Sequence, residues 1–338
     1  MIRIVNFLLT RRCNLDCSYC AITKNYSNLP HEYPEISRYH KREITFDEVK
    51  EVLTLLKKHN KDIFIIFYGG EPLLRNDLPK IVSYCNTQDI QYTIITNNCD
   101  ELTYRSNILI NNFEVKGLSS SVDPLIYDLP SNDDRYKKSI SGLKKLIEMK
   151  KKIKDVVAEI TVTKDNVKHL YRLVKELTDN GISSSITFID IAKNPYYDFS
   201  NIRDNSLMVE NTQELRDQFQ KIYDDNLDVH MGKKLMDNIL SILPANYNCN
   251  LEDKLHNITI DANGFLRTCL RIRGTHCPDM WARKLLIQPD GIENFKKLIK
   301  LDKEKYCQGC NWTCPMMSDF VDNDNDTNSL IHLDKRRD

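Results

Sequence analysis

Short apolar runs and amphipathic segments take turns along the first two thirds of the chain. The runs are "IRIVNFLLT" (residues 2–10), "DIFIIFYG" (62–69), "IQYTIIT" (90–96), "EVKGLSSSVD" (114–123), "VVAEITVT" (156–163) and "SSITFIDI" (184–191). Runs this short and apolar suit strands covered on both faces. The segments between them read as helices. In residues 45–59, Thr45 and Glu48 form a capping-box pair, and Phe46, Val49, Val52, Leu53 and Leu56 make one stripe. Residues 135–150 repeat the pattern with Tyr136, Ile140, Leu143 and Ile147. Residues 167–180 open after Asn166, a favourable N-cap, and end at Gly181, a favourable residue just past a helix. Strand-then-helix units in series require right-handed crossovers and a parallel sheet. That sheet is an open doubly wound one or a barrel, and both place ligands at the C-terminal strand ends.

After residue 205 the rhythm changes. Helical patterns near residues 212–224 and 233–243 lead to "NCNLEDKLHNITIDANGFLRTCL", which reads as a β-hairpin turning at residues 261–264. A length of 338 residues favours about two domains. The expected division is a first domain over residues 1–205, a smaller α+β domain over 206–322, and a polar tail over 323–338. Lysine plus arginine and aspartate plus glutamate number 48 each, so no basic excess calls for nucleic acid or an anionic membrane. No long apolar run or secretion leader is found, and a cytoplasmic location is expected.

The 11 cysteines are unevenly placed. Cys85 and Cys99 read as small buried thiols. Cys13, Cys17 and Cys20 form CxxxCxxC on the loop leaving the first strand, where their thiolates can meet at one centre. A structural zinc needs four ligands, and no fourth Cys or His follows nearby. A four-iron cluster held by three thiolates leaves one iron open, and soft thiolates in a reducing compartment favour iron–sulfur. The open iron is a place for a small molecule to bind and receive an electron.

"CNLDCSYC", with Tyr19 just before the third cysteine, resembles the cluster motif of the radical S-adenosylmethionine (radical SAM) enzymes. "YGGEP", with Gly69, Gly70, Glu71 and Pro72 after the second strand, resembles the segment that holds the amino group of the cofactor's methionine moiety in that family. Two glycines at a strand end let backbone carbonyls approach an ammonium, and Glu71 can offset its charge. "SSSVD", with Ser121 and Asp123, lies where similar enzymes place polar groups near the ribose and carboxylate, and Arg135 where they often carry an arginine able to reach the carboxylate. "VVAEITVTKDN" resembles the segment that packs on the adenine, without the usual glycine. The resemblance implies a partial (β/α)6 TIM-like barrel carrying a [4Fe-4S] cluster and S-adenosylmethionine. It also implies cleavage of that cofactor to a 5′-deoxyadenosyl radical that takes a hydrogen atom from substrate. The cluster's potential would lie toward the negative end of a span of about −700 to +450 mV. A flavodoxin- or ferredoxin-type donor would supply the electron.

Cys249, Gly264 and Cys269, followed by Cys307, Cys310 and Cys314 in "YCQGCNWTCP", resemble the start of the SPASM/twitch region that carries auxiliary clusters in many radical SAM enzymes. The cysteines are fewer than the full SPASM pattern has, so one auxiliary [4Fe-4S] cluster is the better count. Cys249, Cys269 and Cys310 are its expected ligands, with Cys307 and Cys314 competing for the fourth place and Cys277 an outside candidate. A structural zinc held by four cysteines is the lesser alternative that this spacing also allows.

The substrate is less legible. With a first strand at residue 2, no leader-binding domain is expected ahead of the barrel. Tyr196 and Tyr197 in "NPYYDF" could line a substrate pocket or pack on the hairpin domain, and residues 23–43, with His31 and His40, are expected to form a lid. No residue is singled out as acid or base. The leading expectation is oxidation or modification of a peptide or protein at an unactivated C–H bond. Dehydrogenation or rearrangement of a sugar, nucleoside or other small polar molecule is the alternative, and a non-enzymatic zinc-binding module the alternative outside the class.

Overall fold

The computed structural model describes residues 2–15, 17, 20, 42–99, 102–128, 134–189, 207–243, 255–267 and 282–306. Strands β1 (Ile4–Thr10), β2 (Phe64–Gly69), β3 (Gln91–Thr96), β4 (Gly117–Ser121), β5 (Asp155–Val162) and β6 (Ser183–Phe188) lie side by side in chain order, each pair of neighbours parallel. Between them run helices α1 (Phe46–His59), α2 (Leu78–Thr87), α3 (Thr103–Asn112), α4 (Asp134–Lys150) and α5 (Leu170–Asp179). Residues 78–87 and 103–112, which the apolar pattern leaves unassigned, thus complete the alternation. This is the (β/α)6 order of a partial TIM-like barrel.

Period-two alternation sorts the strands' side chains. Val5, Phe7 and Leu9 of β1, Ile65 and Phe67 of β2, Tyr92 and Ile94 of β3, and Ala158 and Ile160 of β5 are buried in one core with Val49, Val52, Leu53 and Leu56 of α1. The Phe67 ring lies 6.0 Å from that of Phe7 and 5.8 Å from that of Tyr92, centroid to centroid. The other face is not the apolar surface that the runs suggest. Asn6, Thr93, Ser121, Glu159, Thr161 and Ser185 sit there partly or fully accessible. Among the described residues, the main apolar core lies on the helix-bearing side of the sheet.

The expected capping box opens α1: Glu48 N–H donates to Thr45 Oγ1 at 3.4 Å, and Thr45 N–H donates to Glu48 Oε2 at 2.9 Å. Asn166 stands at the expected N-cap position, before a 3₁₀ turn, but its side chain makes no capping bond. Its Oδ1 accepts from Thr163 N–H at 2.8 Å, while Nδ2 donates to Thr161 O at 2.9 Å and to Asp123 Oδ1 at 3.1 Å. The side chain is spent bridging β5 to the segment after β4, and a 3₁₀ turn over Val167–His169 precedes α5.

Beyond β6 come α6 (Gln213–Asp224) and α7 (Lys233–Ile242), then the expected hairpin of β7 (Asn257–Ile260) and β8 (Leu266–Arg267). Its turn places Gly264 at φ +89°, a conformation glycine adopts without steric cost. The hairpin extends the same sheet, because β7 pairs parallel to the free edge of β1 with Ile4 opposite Asn257 and Phe7 opposite Ile260. Strands on both sides of residue 205 therefore belong to one sheet. Helices α8 (Ala282–Ile287) and α9 (Gly291–Tyr306) follow, and α8 meets α1 through an Arg283–Glu51 ion pair at 3.0 Å. No described helix is long and apolar enough to cross a membrane.

Candidate cofactor site at the strand ends

The loop after β1 begins with its backbone locked. Thr10 O accepts from Gly70 N–H and Arg12 O from Glu71 N–H, each at 2.8 Å, so the residues preceding Cys13 are stapled to the "GGEP" segment. The two glycines are required by this contact. A Cβ on Gly69 would lie 2.2 Å from Thr10 O, and one on Gly70 would lie 2.3 Å from Arg12 O and 2.7 Å from Arg11 O. Arg12 is held in turn by a two-pronged pair with Glu43, with Nε and Nη2 each 3.0 Å from a carboxylate oxygen.

Cys13, Cys17 and Cys20 follow as half-buried thiols. Cys20 N–H donates to Cys17 O at 3.1 Å, and Leu15 N–H donates to Cys13 Sγ at 3.4 Å. Burial pushes the Cys13 thiol above its usual range, and the nearby Glu71 and Cys20 add to the rise. Among the described residues no three Cys, His, Asp or Glu side chains are close enough to hold a single metal ion. An iron–sulfur cube with one open iron needs three thiolates, one on each of three irons. This donor set fits such a cluster with one iron left open.

Glu71 is fully buried. Its Oε1 accepts from Leu73 N–H at 2.9 Å and from the Thr96 hydroxyl at 2.8 Å, and its Oε2 accepts from Asn97 N–H at 2.8 Å. Burial raises its pKa above the ordinary carboxylate value despite those three bonds. The carboxylate clamps β2 to β3 and is fully buried. Pro72 opens the 3₁₀ turn Pro72–Leu74. Behind it, buried Arg75 donates to Leu9 O at 2.9 Å and Ile44 O at 3.0 Å, tying the end of β1 to the start of α1.

Sequence reading missed the end of β3. Asn97 Nδ2 lies 3.8 Å from Cys13 Sγ and 3.0 Å from Asn14 Oδ1, and Asn14 Nδ2 lies 2.8 Å from Cys99 Sγ. Cys85 and Cys99 are both buried as expected, and burial pushes the Cys85 thiol up to about 12. Cys99, however, faces the cysteine loop. The only signal for this site was two asparagines at a strand end.

Ser121 is exposed at the end of β4, and Asp123 lies just beyond it with Oδ1 held by Asn166. Glu159 stands opposite Ser121 on one side and Ser185 on the other. Burial raises its pKa although Ser185 and Ser119 hydrogen-bond to it. Glu159, Ser119 and Ser185 were not anticipated beside Ser121. Arg135 lies in the first turn of α4, and its side chain is outside the described part. Tyr19, Tyr196, Tyr197, His31 and His40 lie outside the described residues, as do Cys249, Cys269, Cys277, Cys307, Cys310 and Cys314.

What is described of the hairpin reaches the cysteine loop through a buried triad. Asp261 pairs with Arg11 and with Arg267, whose Nε lies 2.6 Å from Asp261 Oδ2. Burial alone would raise the Asp261 carboxyl, but the two guanidinium charges outweigh it and hold the group far below the usual carboxylate range.

The fold and this site can be set against known proteins. SuiB of Streptococcus suis bound to its precursor peptide SuiA superposes with a TM-score of 0.60 at 15% identity, covering 87% of this chain and 66% of that one. The radical SAM cyclopropyl synthase TigE of Paramaledivibacter caminithermalis is 24% identical over 215 residues, 59% of this chain and 44% of that protein. A probable GTP 3′,8-cyclase of Methanocaldococcus jannaschii is 26% identical over 288 residues, 80% of this chain and 85% of that protein. The chain thus spans less than half of TigE and less than two thirds of SuiB. The family model described as the radical SAM superfamily matches residues 7–195, from within β1 past the end of β6. With that match over more than half of its length, this chain belongs to the radical SAM superfamily.

Proposed function

We propose that the chain reductively cleaves S-adenosylmethionine and directs the resulting 5′-deoxyadenosyl radical at an unactivated C–H bond, in the modification or oxidation of a peptide or protein. When bound, a [4Fe-4S] cluster supplies the electron and the open iron that this chemistry needs. The observation that carries the reading is the cysteine loop stapled to Gly70 and Glu71 at the C-terminal edge of a parallel sheet. Cys13, Cys17 and Cys20 would hold the cluster. Tyr19, Gly69, Gly70, Glu71, Pro72, Ser121, Asp123 and Arg135 would line or support the cofactor site. Their work is to position and to exclude water.

Within the proposed smaller domain over residues 206–322, Cys249, Cys269 and Cys310, with Cys307 or Cys314, would carry an auxiliary [4Fe-4S] cluster able to accept the electron left on an oxidised substrate. A flavodoxin- or ferredoxin-type protein would be the donor. The fold shared with SuiB, whose structure holds a precursor peptide, supports the peptide reading. A second reading, rearrangement of a nucleoside or similar small polar molecule, is favoured by the GTP 3′,8-cyclase relative, which is matched over most of both chains.

The test is anaerobic reconstitution with iron and sulfide, then reduction with dithionite in the presence of S-adenosylmethionine. Wild type is expected to form 5′-deoxyadenosine and methionine, and Cys17→Ala to form none. Zinc in place of iron, or an intact cofactor after strong reduction, refutes the proposal and leaves the metal-binding module.

A further inference from the structure

The segment Thr96-Asn97-Asn98-Cys99, at the end of β3, belongs to none of the cysteine motifs, yet its second residue reaches into the cysteine loop. Asn97 is anchored from two directions. Its backbone N–H donates to Glu71 Oε2 at 2.8 Å, and its side-chain Oδ1 accepts from Cys99 N–H at 3.1 Å. The second bond settles which way the amide faces, because turning it over would set an NH2 group against the Cys99 N–H donor. Both protons of Nδ2 therefore point at the loop, where Asn14 Oδ1 stands at 3.0 Å and Cys13 Sγ at 3.8 Å. Asn14 closes the circuit through Nδ2 to Cys99 Sγ at 2.8 Å.

We infer that Asn97 is a positioning residue for the Cys13 thiolate, donating an N–H···S bond that tunes the reduction potential of the cluster this thiolate carries. The inference rests on the iron–sulfur reading proposed above. A donor aimed at a thiolate stabilises the more negative, reduced state, and bonds to the sulfurs are among the levers that set such potentials. The bond also fixes the thiol's direction, since the amide is held independently of any cofactor.

The experiment is a potentiometric titration of anaerobically reconstituted wild type, Asn97→Ala and Asn97→Asp, read by the EPR signal of the reduced cluster that S-adenosylmethionine perturbs. In Asn97→Ala the ratio of reduced to oxidised cluster at a fixed potential is expected to fall about tenfold, which is a shift of about 59 mV for one electron. Asn97→Asp keeps the shape and the acceptor for Cys99 N–H but places negative charge where the donor stood, so it should fall at least as far. If alanine prevents assembly, this isosteric variant carries the test. Unchanged potentials in variants that hold their iron overturn the inference and leave the proposed function standing. A wild type that assembles no iron–sulfur cluster overturns both.

Discussion

At the scale of single residues, this site is shaped by where the backbone allows no side chain. The methyl group of an alanine at position 70 would fall 2.3 Å from Arg12 O, and both sides of that contact are backbone. Relief requires the strand end or the cysteine loop to move. Gly70→Ala is expected to cost about 1–3 kcal/mol of stability, as overpacking generally does. It should also reduce the iron bound per chain after reconstitution. Urea unfolding and an iron assay check the two effects, and a variant with normal stability and full iron content would show that the staple does not position the thiols.

Among elements, the informative joint lies between the end of β1 and the hairpin of β7 and β8. Asp261 is buried between Arg11 and Arg267, and replacing it by asparagine leaves two guanidinium groups facing each other without their anion. Removing one partner of a buried ion pair costs about 3–5 kcal/mol. The direction of the pH effect follows from the depressed pKa. Ionised Asp261 stabilises the fold above the ordinary aspartate value of about 3.9, and that contribution is lost as pH falls through the lower folded value. Asp261→Asn should therefore be markedly less stable than wild type near neutrality, and the gap should narrow in acid. Unfolding free energies between about pH 3 and pH 7 decide this, and parallel curves would show that the triad carries no net charge stabilisation. Because Arg11 lies two residues before Cys13 and Arg267 two before Cys269, the joint also connects the two cysteine-bearing segments.

At the scale of the molecule, the described core is built from sheet and helix residues and includes none of the cysteines of the first loop. The fold should therefore not need the cluster. A variant with Cys13, Cys17 and Cys20 all changed to alanine is expected to keep its far-UV circular dichroism and a cooperative unfolding transition while losing cofactor cleavage, whereas collapse of the spectrum would make the loop a folding element. The order of strands and helices, the capping box of α1 and the hairpin turn were legible because each rests on local periodicity or turn chemistry, read within about a dozen residues. Three features could not be read that way. Asn97 meets Cys13 and Asn14, Glu71 reaches Thr96 and Asn97, and Arg11 finds Asp261, each across a sequence separation that no pattern spans. The sequence by itself determined the parallel α/β alternation and the cysteine spacing that a cluster needs, since both are properties of neighbouring residues. Tertiary structure alone decided that the glycines serve the cysteine loop, that Glu71 faces inward, and that the hairpin joins the edge of β1, because packing and charge pairing act between residues that only folding brings together.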